Sequence, residues 1–247
     1  MTKELEGRVA LVTGGARNIG RAIALDLAAG GASVMVTARS DRAGLNETVA
    51  LIESHGGRAA AMLADVTQEA SVAALVAGTL AAFGTLDILV NNAAIRTEVP
   101  FAQMNLAAFR AVTSVALEGP FLCARAALDA LSASDAGAII NIGGLTAYTG
   151  AKDRVHVIAA KAGLDGLTKA LAHDLAAAGI TVNLVSPGLI DTVRAGHQPG
   201  HHATRKTLLG PLGTPEDVAG MVRYLAGPRA RYVTGQTMHI NGGVYLP

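Results

Sequence analysis

Short apolar runs alternate with longer segments of helical periodicity along the whole chain. The runs RVALVTG (8–14), SVMVTA (33–38), RAAAMLAD (58–65), LDILVNNAA (86–94), GAIINIG (137–143), ITVNLVSPG (180–188) and GQTMHING (235–242) read as strands, being too short for helices. Between them, helices are expected over 19–31, closed by Gly30 and Gly31, then up to about Ser54, up to Phe83, over about 103–131, over about 154–178 and over 214–227. The last opens with Thr214 as N-cap, Pro215 at the first position and the acids Glu216 and Asp217 in the first turn, which a helix start favours. The strands are apolar throughout rather than alternating, so both faces of the sheet must be covered, as in parallel sheets. The expected fold class is α/β: one doubly wound domain over residues 1–247, with about seven parallel strands and helices on both faces. No linker, repeat or low-complexity segment divides it.

Composition agrees with a large core: 51% of residues are hydrophobic and 16% charged. Aromatic residues are only 3%, with no Trp and 29 Gly, so the elements are expected to pack closely through small side chains. A formal net charge of +1 gives no field for nucleic acid or an acidic membrane. Cys123 is the single cysteine, which excludes an internal disulfide, and its apolar surroundings mark it as a small buried hydrophobe. No signal peptide is recognised and no apolar run approaches the ~20 residues of a membrane span, so the expectation is a cytoplasmic protein.

The first strand runs into TGGARNIGRAIA, where Gly14, Gly15 and Gly20 allow a tight turn and the following helix presents free N–H groups to a diphosphate. The second strand ends in VTARSDR. Ala38 stands where an acid would hold the ribose hydroxyls of NAD, and Arg39 follows. Arg39, with Arg17 approaching from the glycine turn, is suited to a 2′-phosphate, so NADP(H) is expected in preference to NAD(H).

Together these segments resemble the short-chain dehydrogenase/reductase family over nearly the whole chain. TGGARNIG is similar to its TGxxxGxG turn, with Asn18 for a glycine. Asp65–Val66 resembles the pair that contacts adenine. NNAA (91–94) resembles NNAG, with Ala94 for Gly. NLVSPGLIDT (183–192) resembles the segment that closes over the nicotinamide, and TGQTMHINGG (234–243) resembles TGxxxxxDGG, with Asn241 for Asp. The resemblance implies a Rossmann-type domain whose cofactor residues are Gly14, Arg17, Asn18, Ile19, Gly20, Arg39, Asp65, Val66, Asn92, Lys161, Pro187, Gly188, Ile190 and Thr192, with no metal. It also implies a homotetramer or homodimer formed through helices 103–131 and 154–178, where Ala124, Ala126 and Ala127 allow close approach.

The family's hydride-transfer site combines Asn, Ser, Tyr and Lys. Tyr is the general acid/base, and Lys lowers its pKa and holds the nicotinamide ribose. Lys161 precedes Pro187 by 26 residues, which fits one helix, a turn and a strand; Lys152 precedes it by 35, too many. Lys161 is thus the lysine in register, and Tyr148-x-x-x-Lys152 is a chance spacing. The residue one helical turn before Lys161 is Val157, the serine position is Gly144, and the asparagine position is Ala116. His156 is expected to be partly exposed and turned from the pair, Asp153 to cap the following helix, and Tyr148 to lie on a loop from which it can swing toward the nicotinamide. The lid, about 189–212, carries His197, His201 and His202 without the fixed frame a metal needs, and Arg194, Arg205 and Lys206, which suggest an anionic small-molecule substrate. Two functions stay open: an oxidoreductase that works without the usual tyrosine, with Lys161 and Tyr148 as the remaining catalytic candidates, or a cofactor-binding subunit or NADPH sensor without turnover.

Overall fold

The computed structural model describes residues 3–193 and 207–247. Seven parallel strands form one sheet: β1 (Val9–Thr13), β2 (Ser33–Ala38), β3 (Arg58–Leu63), β4 (Ile88–Asn91), β5 (Ala138–Ile142), β6 (Thr181–Pro187) and β7 (Thr237–Ile240). Their order is β3-β2-β1-β4-β5-β6-β7. The direction of winding reverses between β1 and β4, paired through Leu11 and Leu89, so a crevice opens above the C-terminal ends of those two strands.

Each strand sends alternate side chains to two separate cores. Ala10, Val12, Val34, Val36, Val90 and Ile140 meet Ile23 and Leu27 of α1 (Asn18–Ala29), Leu45 of α2 (Arg42–Ser54) and Val218 and Val222 of α8 (Pro215–Ala226). Leu11, Met35, Leu89, Ile139 and Val182 face the other way, toward Val72 and Leu75 of α3 (Glu69–Phe83) and Ala127 and Leu131 of α5 (Gly119–Ala133). α7 (Val155–Leu175) packs on β6 on this second face. All seven expected strands and the doubly wound arrangement are present, because a strand buried on both faces carries its signal in its own residues. The cap expected at the start of α8 is also present: Thr214 and Asp217 satisfy each other's backbone N–H groups.

Three local features differ from the sequence reading. The helical region expected over 103–131 is interrupted. A 3-10 turn at Phe101–Gln103 precedes α4 (Leu106–Thr113), and a π-helical turn, Ser114–Glu118, separates α4 from α5. Pro120 has no N–H to return to the carbonyl of Ala116, so the regular helical ladder fails there. Second, Leu106–Ala133 taken together is long and apolar enough to pass for a membrane span, contrary to the expectation that no such run exists; in the fold it packs against α3, α7 and β4 as a core element. Third, Ala124 and Ala127 are buried in the chain's own core and are not free to meet a second subunit, while Phe121 on the outer side of α5 is exposed.

Candidate active site

The crevice above β1 and β4 is a cleft of about 630 Å³. Its floor is the turn from Gly14 to Gly20. Gly14 has φ +67°, a left-handed conformation that glycine takes without steric cost. A Cβ on Gly20 would lie 2.1 Å from the Gly14 carbonyl oxygen and 2.5 Å from Asn92 Nδ2, so only glycine lets α1 begin this close to β1. Asn92 holds the turn from the far side, donating from its amide to the carbonyls of Thr13 (3.0 Å) and Gly14 (3.1 Å). The Thr13 hydroxyl completes the clasp by accepting from the N–H groups of Asn92 and Ala93.

Asn18, where the family pattern has a glycine, sits at φ +51°. Asparagine tolerates this region better than other residues with a Cβ. Its side chain then does what a glycine cannot: it donates to the Val193 carbonyl (2.9 Å) and accepts from the Val193 N–H (3.0 Å), fastening the chain beyond β6 across the phosphate turn.

Arg17, Ile19, Arg39, Asp65, Val66 and Thr192 line the same cleft. Asp65 Oδ1 accepts from the Thr67 N–H and hydroxyl, which hold its carboxyl below the usual range, and the nearby Arg39 charge adds to this. A trough with backbone N–H groups at one end and exposed guanidinium groups of Arg17 and Arg39 beside it has the donor set for a phosphorylated dinucleotide.

A small cavity of about 60 Å³ adjoins this cleft, and Ile19 borders both. Lys161, Pro187, Gly188 and Ile190 line it, together with Val157 and Gly144. Every residue assigned to the cofactor from the sequence therefore borders one of two joined spaces. Lys161 is buried and donates to the carbonyl of Ile142 at the end of β5. Complete burial, and the positive charge of Arg96, push its ammonium down to about 7. Val157 is buried one turn earlier, and a Cβ on Gly144 would meet nothing within 4 Å. Ala116 is buried in the π-helical turn. Behind the site, Asn91 donates to Asn141, and Asn141 donates to Thr168 of α7, each at 2.9 Å, which fixes the helix carrying Lys161 to the sheet.

Burying Lys161 as a cation costs stability, and the pH dependence has a definite sign. In the unfolded chain its pKa is near the ordinary 10.5, and in the fold about 7. Between those values the unfolded state binds the additional proton, so stability rises with pH; below about 7 the full cost remains. Without cofactor, Lys161→Met is expected to raise stability at pH 6 by an amount on the order of 3 kcal/mol, the gain shrinking toward pH 10. Urea unfolding of both proteins across that range checks this.

Tyr148 does not border either space. It lies in a short helix, α6 (Thr146–Thr149), and its hydroxyl donates to Asp165 Oδ1 at 3.0 Å. Its ring meets His239 edge-on at 4.7 Å and stacks on Tyr245 at 5.6 Å. Burial, with the Asp165 carboxylate adding to it, pushes the phenol up to about 12. The loop position expected from sequence, with freedom to swing, is thus replaced by an aromatic cluster that could not be foreseen because its members come from the distant C-terminal segment. Lys152 is exposed in a turn, as its place before the helix implied. His156 is fully buried rather than partly exposed: Nε2 lies 2.8 Å from the Thr97 hydroxyl, because the loop after β4 covers this face of α7. Burial pushes this imidazole down. Asp153 does not cap α7. It sits at φ +60° and its carbonyl accepts from the Val99 N–H, while Arg154 occupies the N-cap. Cys123 is buried, and burial pushes its thiol up to about 12. Arg194, His197, His201, His202, Arg205 and Lys206 lie outside the described residues.

Two residues of the site were not recognised from sequence. Arg96 and Arg154 line both the cleft and the small cavity. The available signals were local: Arg96 stands two residues after the NNAA segment, and Arg154 three residues before Val157.

Comparison with known proteins agrees with this geometry. A family model described as enoyl-(acyl carrier protein) reductase matches residues 14–245. The 3-oxoacyl-(acyl-carrier-protein) reductase of Synechocystis sp. is 39% identical over 243 residues, covering 98% of each chain. A dehydrogenase/reductase from Sinorhizobium meliloti 1021 superimposes with a TM-score of 0.94 at 40% identity, covering 99% of this chain and 98% of that one. A short chain dehydrogenase from Burkholderia cenocepacia J2315, solved in complex with NADP, gives 0.92 at 36% identity, covering 98% and 99%. The chain belongs to the short-chain dehydrogenase/reductase family of oxidoreductases.

Proposed function

We propose that the protein is an NADP(H)-dependent oxidoreductase acting on a small carbonyl or alcohol substrate, whose site lacks the family's Asn, Ser and Tyr. The observation that carries the reading is the cleft in which the Gly14–Gly20 turn, Arg17, Arg39, Asp65 and Thr192 converge, with Lys161 in the small cavity that adjoins it. The NADP complex of the Burkholderia relative supports the choice of cofactor. NADPH, when bound, would supply the hydride for carbonyl reduction, and water would supply the proton. The residues of the chain do the rest. The turn and the N-terminus of α1 bind phosphate, Arg17 and Arg39 select the 2′-phosphate, and Asn18 fastens Val193 across the turn. Lys161 places positive charge beside the developing alkoxide. Losing a general acid costs typically 10²–10⁴-fold, which slows such a reaction without forbidding it.

A second reading, a cofactor-binding subunit or NADPH sensor, is favoured by one observation: the buried Val157 and the bare Gly144 leave no hydroxyl at either position. Following NADPH oxidation with a panel of aldehydes, ketones and oxo acids separates the two. For an oxidoreductase, slow and saturable turnover is expected. Tyr148→Phe should then keep kcat within about threefold while losing about 1 kcal/mol of stability with the Asp165 hydrogen bond. Absence of turnover with the whole panel favours the sensor. A loss of 10²-fold or more in Tyr148→Phe would make Tyr148 the acid.

A further inference from the structure

The place where the cofactor cleft runs into the small cavity is bordered by cations. Arg96 extends from the loop after β4 and Arg154 from the N-cap of α7, and each lines both spaces. Arg154 is only 6% exposed. Arg96 is exposed. Lys161 borders the same small cavity. Among the described residues, the remainder of that cavity's lining is apolar or glycine, apart from Thr146, and includes no carboxylate. The acids of the larger cleft are Asp41, Asp65 and Glu98. Asp41 accepts from the Gly44 N–H at the start of α2, and Asp65 from Thr67, so both are committed at the adenine end, while Glu98 is exposed on the loop that carries Arg96.

Gathering three cations around a small, mostly apolar cavity is unfavourable in itself, since like charges repel, most strongly at the buried Arg154 and Lys161. The repulsion is felt: the Arg96 charge contributes to the depressed ammonium of Lys161. An anionic oxygen group seated where the two spaces meet reverses the sign of that interaction. A guanidinium fork also matches a carboxylate in shape, with two parallel N–H donors for two oxygens. Gly144 and Val157, meanwhile, bring no neutral hydroxyl to hold a neutral carbonyl. Recognition at this end therefore falls to charge.

We propose that the substrate is a small oxo acid or hydroxy acid whose carboxylate is clamped by Arg96 and Arg154 beside the reacting carbon. The proposal rests on the oxidoreductase reading above and adds the class of substrate. Arg96 and Arg154 act as specificity residues, and the carboxylate they hold fixes the neighbouring carbonyl.

The test uses calorimetric titration of the full chain saturated with NADP⁺, where a keto group has no hydride to accept. The probes are acetoacetate and pyruvate, each against its methyl ester. The expected result is that at least one acid binds roughly 30-fold more tightly than its ester, and that Arg96→Gln and Arg154→Gln each reduce that ratio to within about threefold. Each variant is measured at its own saturating NADP⁺, so the ratio is insensitive to changes in cofactor affinity. Arg96 is exposed, so Arg96→Gln carries the test even where Arg154→Gln lowers stability. Equal binding of acid and ester, no binding of either acid, or a preference that survives in Arg96→Gln would overturn the clamp. Failure of NADP⁺ to bind in the first step overturns the cofactor reading, and the clamp with it; failure confined to the second step overturns the clamp alone.

Discussion

Gly20→Ala is expected to abolish NADPH binding and to destabilise the fold, although it adds a single methyl group. That methyl would stand 2.1 Å from the Gly14 carbonyl oxygen, 2.5 Å from Asn92 Nδ2 and 2.9 Å from the Gly14 carbonyl carbon. None of these can yield cheaply. Gly14 is backbone in a left-handed turn, and the Asn92 amide is held by two carbonyls. Relief requires the first turn of α1 to move away from β1, which disrupts the packing of α1 on the sheet and the N–H groups aimed at phosphate. Overpacking of this kind costs about 3 kcal/mol. Loss of the phosphate site should lower NADPH affinity at least ~100-fold, since charge-assisted bonds to backbone donors are among the stronger contacts a dinucleotide makes. Gly220→Ala is the matching control. Gly220 is exposed on α8, and a methyl group there would meet nothing within 4 Å. That change should stabilise the helix by about 0.5–1 kcal/mol and leave binding intact. Thermal unfolding and fluorescence titration of the two variants measure both effects. Unchanged NADPH binding in Gly20→Ala would remove the turn from the cofactor site.

The second large effect is a gain. Gly144→Ser combined with Val157→Tyr is expected to raise the rate of NADPH-dependent carbonyl reduction by roughly 10²- to 10⁴-fold, the usual contribution of a general acid. Positions 157 and 161 are one helical turn apart on α7, and both line the small cavity. A phenol at 157 would stand beside the Lys161 ammonium, whose charge favours the phenolate and brings the tyrosine toward working pH. A serine at 144 has room, since a Cβ there meets no atom within 4 Å. Single-turnover rates at saturating NADPH report the chemical step. A folded double variant no faster than the original protein would mean that the acid does not act from position 157. Turnover in the double variant alone, with none in the original chain, would favour the sensor reading.

The framework was readable from sequence because its determinants are local. Strands buried on both faces spell themselves out as apolar runs, and Gly14, Gly20 and Thr214 punctuate them. Lys161 was found by counting back from Pro187, since one helix and one strand occupy a fixed number of residues. What sequence left unread depends on partners far along the chain. Tyr148 is held by Asp165 of α7 and by His239 and Tyr245 at the C-terminal end. His156 is buried because the loop carrying Thr97 lies over it. The break between α4 and α5 follows from Pro120, a local signal that the apolar pattern around it obscured. Arg96 and Arg154 stand far apart in the sequence and share a site only because β4 and α7 deliver them to the same end of the sheet.

The most direct test is a fluorescence titration of the protein with NADPH and with NADH, repeated on Arg39→Ala. Arg39 borders the adenine end of the cleft beside Asp65, and no acid occupies position 38. NADPH is expected to bind at least ~10-fold more tightly than NADH, and most of that difference should vanish in Arg39→Ala, as removal of a guanidinium–phosphate pair requires. Equal affinity for the two cofactors, a preference for NADH, or binding of neither would contradict an NADP(H) site built on Arg39.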